Sequence, residues 1–170
     1  GECWLEVKTR GPRRRTVKAR TPHDPSSASR LDARALTFVE SALADGGIAA
    51  HLATRLLPMV RTGFIRSTLW LPEDGARVTI YRDFAVTRGG DCVGYPGLAI
   101  VETKSGSAPS QVDHALWSRG IRPGKVSKFA IGMTGLNRDL PTNKWHRVLN
   151  EHFNPRAQRV YPRLDGRSQS

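Results

Sequence analysis

The amino-acid sequence predicts an α+β protein of antiparallel hairpins with helices inserted between them. Three observations lead there. Apolar and polar residues alternate with period two in six separate segments, the signature of half-buried strands. Short Gly- and Pro-containing turns join the first four of those segments in pairs. One long stretch, residues 33–45, instead carries the apolar spacing of a helix.

The elements follow in order. Over residues 2–10, Cys3, Leu5 and Val7 fall on one face and Trp4, Glu6, Lys8 and Arg10 on the other. Gly11-Pro12-Arg13-Arg14 reads as a turn, with the Arg13–Arg15 run solvated, and Thr16–Arg20 is the returning strand. Thr21–Ser29, rich in Pro and Ser, is a loop. Asp32 is the expected N-cap of a helix over 33–45, with a stripe of Leu36, Val39 and Leu43 flanked by Phe38 and Ala42. Gly46-Gly47 ends it, and Ile48–Leu57 reads as a second short helix stopped by Pro58.

From Thr62 the period returns to two. Phe64, Arg66, Thr68 and Trp70 oppose Ile65, Ser67 and Leu69; Pro72-Glu73-Asp74-Gly75 is a turn; and Arg77–Phe84 returns. Thr87–Gly97, with four glycines, reads as a loop. A fifth strand is expected over Leu98–Lys104, with Leu98, Ile100, Glu102 and Lys104 on one face. A helix is expected from Gln111 to about Arg119, a sixth strand over Lys125–Met133 with Lys128, Ala130 and Gly132 together, and a closing helix over Asn143–Phe153. Residues 154–170, with four Arg against one Asp, read as a mobile basic tail beyond a domain of residues 1–153. The chain opens at Gly1 and runs straight into a strand, as expected either of a processed start or of a fragment whose earlier strands are missing.

The charge balance narrows the partners. Twenty-seven Lys and Arg stand against 15 Asp and Glu, a net charge of +12. That excess favours a polyanion: nucleic acid, anionic lipid, nucleotide or polyphosphate. A hydrophobic fraction of 38% excludes global disorder. No apolar run approaches the roughly 18 residues of a membrane span, and no secretory leader is visible. Cys3 and Cys92 form neither a disulfide framework nor a zinc pattern, so a reduced, cytoplasmic setting is expected.

The chemistry lies in charges set inside β-like segments: Glu6 and Lys8, Lys18 and Arg20, Arg66, Arg77, and Glu102 and Lys104. Each alone suits the wet face of a sheet. Converging inside a sheet, they would line a cationic channel, which is tolerable only when an anion fills it. Phosphoryl transfer fits: Arg offers paired donors to phosphate oxygens, Lys offers point charges, and a carboxylate such as Glu102 could hold a divalent metal. The five histidines show no ligand spacing, and Trp70, Trp117 and Trp145 read as packing residues. The glycines of 89–97 lack the phosphate-loop lysine.

Five pieces in order resemble the VTC domain of polyphosphate polymerases, a branch of the triphosphate tunnel metalloenzymes (CYTH-like). They are Leu5–Thr9 with Thr16–Arg20, Arg61–Ser67, Arg77–Ile80, Val101–Lys104 and Val126–Phe129, together spanning most of residues 4–153. The resemblance implies an antiparallel β-tunnel that binds a nucleoside triphosphate and polyphosphate with Mn2+ or Mg2+, and no specific nucleic acid. It implies catalytic roles for Arg66, Lys8 and Lys128, Arg66 lying on the transferred phosphate. Arg10, Lys18 and Arg20 match basic positions that bind substrate, and Arg77 and Lys104 join them. Glu102 matches the metal ligand. Phe64 stands where a tyrosine is frequent and Tyr81 where many relatives have aspartate. The family's opening strands, including an Arg-x-Arg strand, would precede residue 4, so the tunnel is expected to be incomplete.

Three alternatives stay open. A triphosphatase would use the same tunnel with water as acceptor. A polyanion-binding module would bind without turnover. A metal-dependent nuclease would pair Asp91 with Glu102-Thr103-Lys104.

Overall fold

A computed structural model describes residues 2–11 and 15–159. The chain divides into two compact units, Gly1–Pro58 and Met59–Ser170.

In the first unit, β1 (Trp4–Arg10) pairs antiparallel with β2 (Thr16–Pro22), placing Lys8 opposite Lys18, Glu6 opposite Arg20 and Arg10 opposite Thr16. Of the turn between them, Pro12, Arg13 and Arg14 lie outside the described residues. Helix α1 (Ala33–Asp45) starts where expected: the Asp32 side chain accepts from the Ala35 N–H at 2.8 Å. Its buried seam is Ala35, Val39 and Ala42, while Leu36, Phe38 and Leu43 are half-buried. The seam is narrower than the predicted stripe, and the end of the helix lies against the hairpin. A Cβ on Gly46 would stand 2.8 Å from the Thr9 side chain, and Thr9 is buried on the hairpin's inner face with Val7 and Leu5 beside it half-buried. The second helix expected over 48–57 is instead a 3-10 segment, Ala50–Arg55.

The second unit is built on β3 (Arg61–Leu71) and β4 (Ala76–Arg88), joined by the Pro72–Gly75 turn, whose Gly75 N–H donates to the Pro72 carbonyl at 3.2 Å. The far side of β4 is shared. Its last residues pair with β5 (Asp91–Gly94), and residues 77–81 pair with β6 (Ile100–Lys104). The predicted loop over 87–97 is corrected: β4 continues to Arg88, turns through Gly89 at φ +58°, and returns as β5. Glycines hid a strand whose Val93, together with Tyr95 just beyond it, is buried.

Helix α2 (Gln111–Ser118) begins on a capping box, with the buried Ser110 hydroxyl 2.7 Å from Asp113. The Thr103 hydroxyl donates to the other Asp113 oxygen at 2.7 Å and ties α2 to β6. The expected strand over 125–133 is also corrected. Residues Lys128–Leu136 form helix α3, capped by the Ser127 side chain, which accepts from Ala130 N–H at 3.3 Å. A run of nine residues rich in apolar groups suits either period, and the cap decides it. Residues 143–153 form the closing helical segment in irregular turns, burying Leu149 and Phe153. Beyond it, β7 (Gln158–Arg159) pairs with β5, and the rest of the predicted tail lies outside the described residues.

The core of this unit is Phe84, Val86, Val93, Tyr95, Ile131, Leu149 and Phe153. Tyr95 stacks on Phe84 (centroids 5.5 Å apart) and meets Phe153 edge-on at 5.4 Å. Burial pushes the Tyr95 phenol up to about 12, so it stays protonated, 3.4 Å from the Ile131 carbonyl to which it donates. Both sheets are antiparallel, and neither closes into a barrel among the described residues. The fold is thus the α+β, incomplete form of the expected tunnel. Among the described residues no helix is long and apolar enough to cross a membrane.

Candidate functional site

The register of β3, β4 and β6 composes one face of the second unit. Directly opposed residues of an antiparallel pair share a face. Three rows result: Trp70–Arg77–Lys104, then Thr68–Thr79–Glu102, then Arg66–Tyr81–Ile100. The fourth position along β3 is Phe64, and there the register shifts. Gly63 pairs with Ala85 and Ile65 with Arg82, so Asp83 and Phe84 together stand opposite Phe64. Asp83 takes φ +53°, the left-handed conformation. This bulge rephases β4. Phe84 and Val86 rejoin the face of Tyr81, Thr79 and Arg77, and the face divides into a covered half and an open half.

Helix α3 covers the first half. A Cβ on Gly132 would stand 2.7 Å from Val86, so the helix backbone lies directly on the strand. One turn earlier, Lys128 reaches over the border, its Nζ 3.5 Å from the Tyr81 ring centroid and 5.9 Å from that of Phe64. The Phe64 and Tyr81 rings meet edge-on at 4.9 Å.

The open half carries the charges. Lys104 Nζ lies 3.0 Å from Glu102 Oε1, and the Tyr81 hydroxyl donates to Oε2 at 3.2 Å. Burial pushes the Glu102 carboxyl up, but Lys104, Tyr81 and the charge of Lys128 outweigh it and hold the group below its usual range. The Tyr81 phenol is pushed up by burial and by the Glu102 charge, with Arg66 and Arg77 pulling the other way. Tyr81 is therefore a neutral donor set among cations. Lys104 and Lys128 thus act on one anionic carboxylate, and Arg66 and Arg77 share the same solvent-open face around Tyr81.

The remaining predicted residues form a second cationic face in the first unit. Glu6 is bridged by Lys8, at 2.8 Å, and by Lys18. Hydrogen bonds from those two lysines, Lys18 first, hold its carboxyl low. Arg20 lies 4.5 Å over the Trp4 ring, and Arg10 shares the face, opposite Thr16. Four cations stand there against Glu6, with Glu2 at the end of the face accepting from the Trp4 indole N–H at 3.3 Å.

Some expectations change. Lys128 arrives from a helix, not a strand. Trp70, read as a packing residue, is 63% exposed, whereas Trp117 and Trp145 are half-buried. The nuclease pairing of Asp91 with Glu102 does not assemble. Asp91 stands opposite Arg88 and Glu102 opposite Thr79, nine residues apart along β4, roughly 30 Å of strand at about 3.3 Å per residue. Tyr81 was not among the predicted site residues, although its phase with Arg77 and Thr79 already placed it on this face. A separate cleft of about 420 Å³ carries Arg138 and Arg159 and includes none of the residues above.

The VTC domain family model matches residues 1–137. The chain belongs to the VTC domain family. No curated protein and no solved structure matches it. The matched span of this VTC domain contains both cationic faces and ends one residue past α3.

The donor set bears on the divalent metal associated with such domains. Among the described residues no three His, Cys, Asp or Glu side chains gather as ligands. A hard cation that keeps several waters and draws its other ligands from phosphate oxygens asks the protein for only one or two carboxylates. Glu102, ionised and on the open face, fits that requirement.

Proposed function

We propose that this VTC domain transfers the terminal phosphoryl group of a nucleoside triphosphate to the end of a polyphosphate chain. The observation that carries the reading is the open face that Arg66, Arg77, Lys104 and Lys128 share with Glu102 and Tyr81. An oxygen of the acceptor's last phosphate attacks the terminal phosphorus, the bond to the bridging oxygen breaks, and a nucleoside diphosphate leaves. Charge on the phosphate oxygens is the main thing to be stabilised, and fixed cations do that without reorganising. Arg66 offers a planar fork to the transferred group, while Lys128 and Lys104 supply point charges. Tyr81 donates a hydrogen bond and keeps Glu102 oriented. Glu102 would hold Mn2+ or Mg2+, which neutralises charge on the phosphate chain when bound.

Lys8, Arg10, Lys18 and Arg20 form a face suited to polyphosphate, whose repeating charge matches a row of exposed cations. The segment expected as a basic tail begins inside the fold, since Ala157 packs against the core and Gln158–Arg159 pair with β5. Hydrolysis of the triphosphate at the same face is a second reading, favoured by its exposure, which admits water as acceptor.

The test is product analysis. The protein incubated with ATP and Mn2+ should yield long polyphosphate, whereas a triphosphatase yields orthophosphate and a binder yields neither. Glu102→Gln keeps the size and the Tyr81 hydrogen bond but removes the charge, and should raise the Mn2+ concentration needed for turnover. Unchanged manganese dependence would overturn the role of Glu102.

A further inference from the structure

The open face has two ends, and only one can receive a nucleoside. At one end α3 lies on Val86 and Lys128 closes over Tyr81 and Phe64. At the other end, beside the Pro72–Gly75 turn, stands Trp70 in the row Trp70–Arg77–Lys104. The residue is 63% exposed. The other three tryptophans have occupied rings. Arg20 lies 4.5 Å over Trp4, Lys144 lies 4.5 Å over Trp145, and His114 meets Trp117 at 5.3 Å. Of the four tryptophans, Trp70 alone has no ring or cation partner among the described residues.

We infer that Trp70 is the platform on which the nucleobase of the triphosphate stacks. This inference rests on reading the face as a triphosphate site. It fixes the direction in which the substrate lies. From Arg66 to Trp70 is four residues of strand, about 13 Å, comparable to an extended triphosphate with its ribose. With the terminal phosphate at Arg66 and Lys128, the middle of the chain passes the Glu102 row, and Arg77 and Lys104 meet the phosphate nearest the ribose. The base then falls on the indole. Reversing the ligand would drive the base against α3 and leave the terminal phosphate beside an aromatic ring. Stacking on an indole accepts any base face, so the site selects for a nucleoside without selecting which one.

Calorimetric titration of the full chain with ATP and with inorganic tripolyphosphate, both with Mg2+, separates the base from the phosphates. Trp70→Ala should weaken ATP binding by about fivefold to 150-fold, the range for one aromatic–base stack, and leave tripolyphosphate unchanged. Trp70→Phe, which keeps a stacking face, should stay within a few-fold of the wild type for ATP, and GTP should follow ATP throughout. Equal loss for both ligands, or no loss for ATP, overturns the platform while leaving the triphosphate site standing. If the wild-type protein binds neither ligand, the triphosphate reading falls and the platform with it.

Discussion

Gly132→Ala tests how the site is held together. Helix propensity alone says that replacing a mid-helix glycine by alanine stabilises, by up to about 1 kcal/mol. The packing says the opposite. The new methyl would stand 2.7 and 2.8 Å from the two Val86 methyls and 3.2 Å from its Cβ. Comfortable carbon contacts are about 3.5–4.0 Å. Val86 is fully buried and β-branched, so it has no rotamer into which to retreat. The helix must lift by about 1 Å, at an overpacking cost of roughly 1–3 kcal/mol. The net is a loss of about 1 kcal/mol.

Thermal unfolding should therefore show a Tm lowered by a few degrees. Gly106→Ala, where a Cβ meets nothing within 4 Å, should leave Tm unchanged. Shortening the opposing side chain supplies the second arm. In a double-mutant cycle with Val86→Ala, the alanine at 132 should cost less than it does against valine. Because Lys128 lies one turn from Gly132, Gly132→Ala should also weaken tripolyphosphate binding, although the substitution is remote from the open face. A Gly132→Ala protein as stable as the wild type or more so would refute the close docking of α3 on β4.

Arg66→Lys should lose turnover, and Arg66→Ala should lose more, on the order of 10²-fold as for other single charge-stabilising groups; a wild-type rate of polyphosphate synthesis in Arg66→Ala would remove the transferred phosphate from this position. Glu102 is held low, so the stability it contributes is full above the usual carboxylate pKa of about 4.3 and is lost as pH falls through its lower folded value. Lys104→Met should move that carboxyl titration upward, as read by NMR, and an unmoved titration would show that the ion pair does not form. Asp83→Gly should be tolerated because glycine takes φ +53° freely, whereas Asp83→Val should cost about 1–2 kcal/mol in chemical denaturation; equal stability of the two would show that the bulge is absent.

The parts legible in the sequence are those where a local signal and the tertiary environment agree. Asp32 announces α1, the Pro72–Gly75 turn announces β3 and β4, and the phase of Arg66, Arg77, Glu102 and Lys104 already puts them on one face. The failures have physical causes. Gly89-Gly90 reads as loop because glycine weakens a strand signal, yet here it makes the tight turn into β5. Lys128–Leu136 has too few polar residues to distinguish period two from period 3.6, and the deciding cap is one serine hydroxyl. The exposure of Trp70 is not legible, because an aromatic residue is ordinarily core and nothing local shows that β3 is exposed along nearly its whole length. Tyr81 was visible as a departure from the family pattern but not as a donor to Glu102, a contact between residues 21 positions apart.

The bulge at Asp83 explains why a core and a charged site occupy the same sheet face without conflict. Along an unbroken β4, Arg77, Thr79, Tyr81 and Asp83 would share a face with Ala85 and Thr87, while Phe84 and Val86 would turn to the opposite side with Val78 and Ile80. Helix α3 packed on Phe84 and Val86 would then lie across the sheet from Tyr81, and its first residue could not reach that ring. The extra residue reverses the phase once. It brings the apolar end of β4 beneath α3 and leaves the polar end bare on the same side. Lys128 becomes the hinge between the two, fixed on one side by the burial of Ile131 and the contact at Gly132 and presented on the other to Tyr81. Apolar burial orders the helix turn that carries this cation, and the Tyr81 ring receives its ammonium group. Under the proposed function, a charge positioned before the anion arrives meets the condition under which fixed cations lower a barrier rather than merely bind.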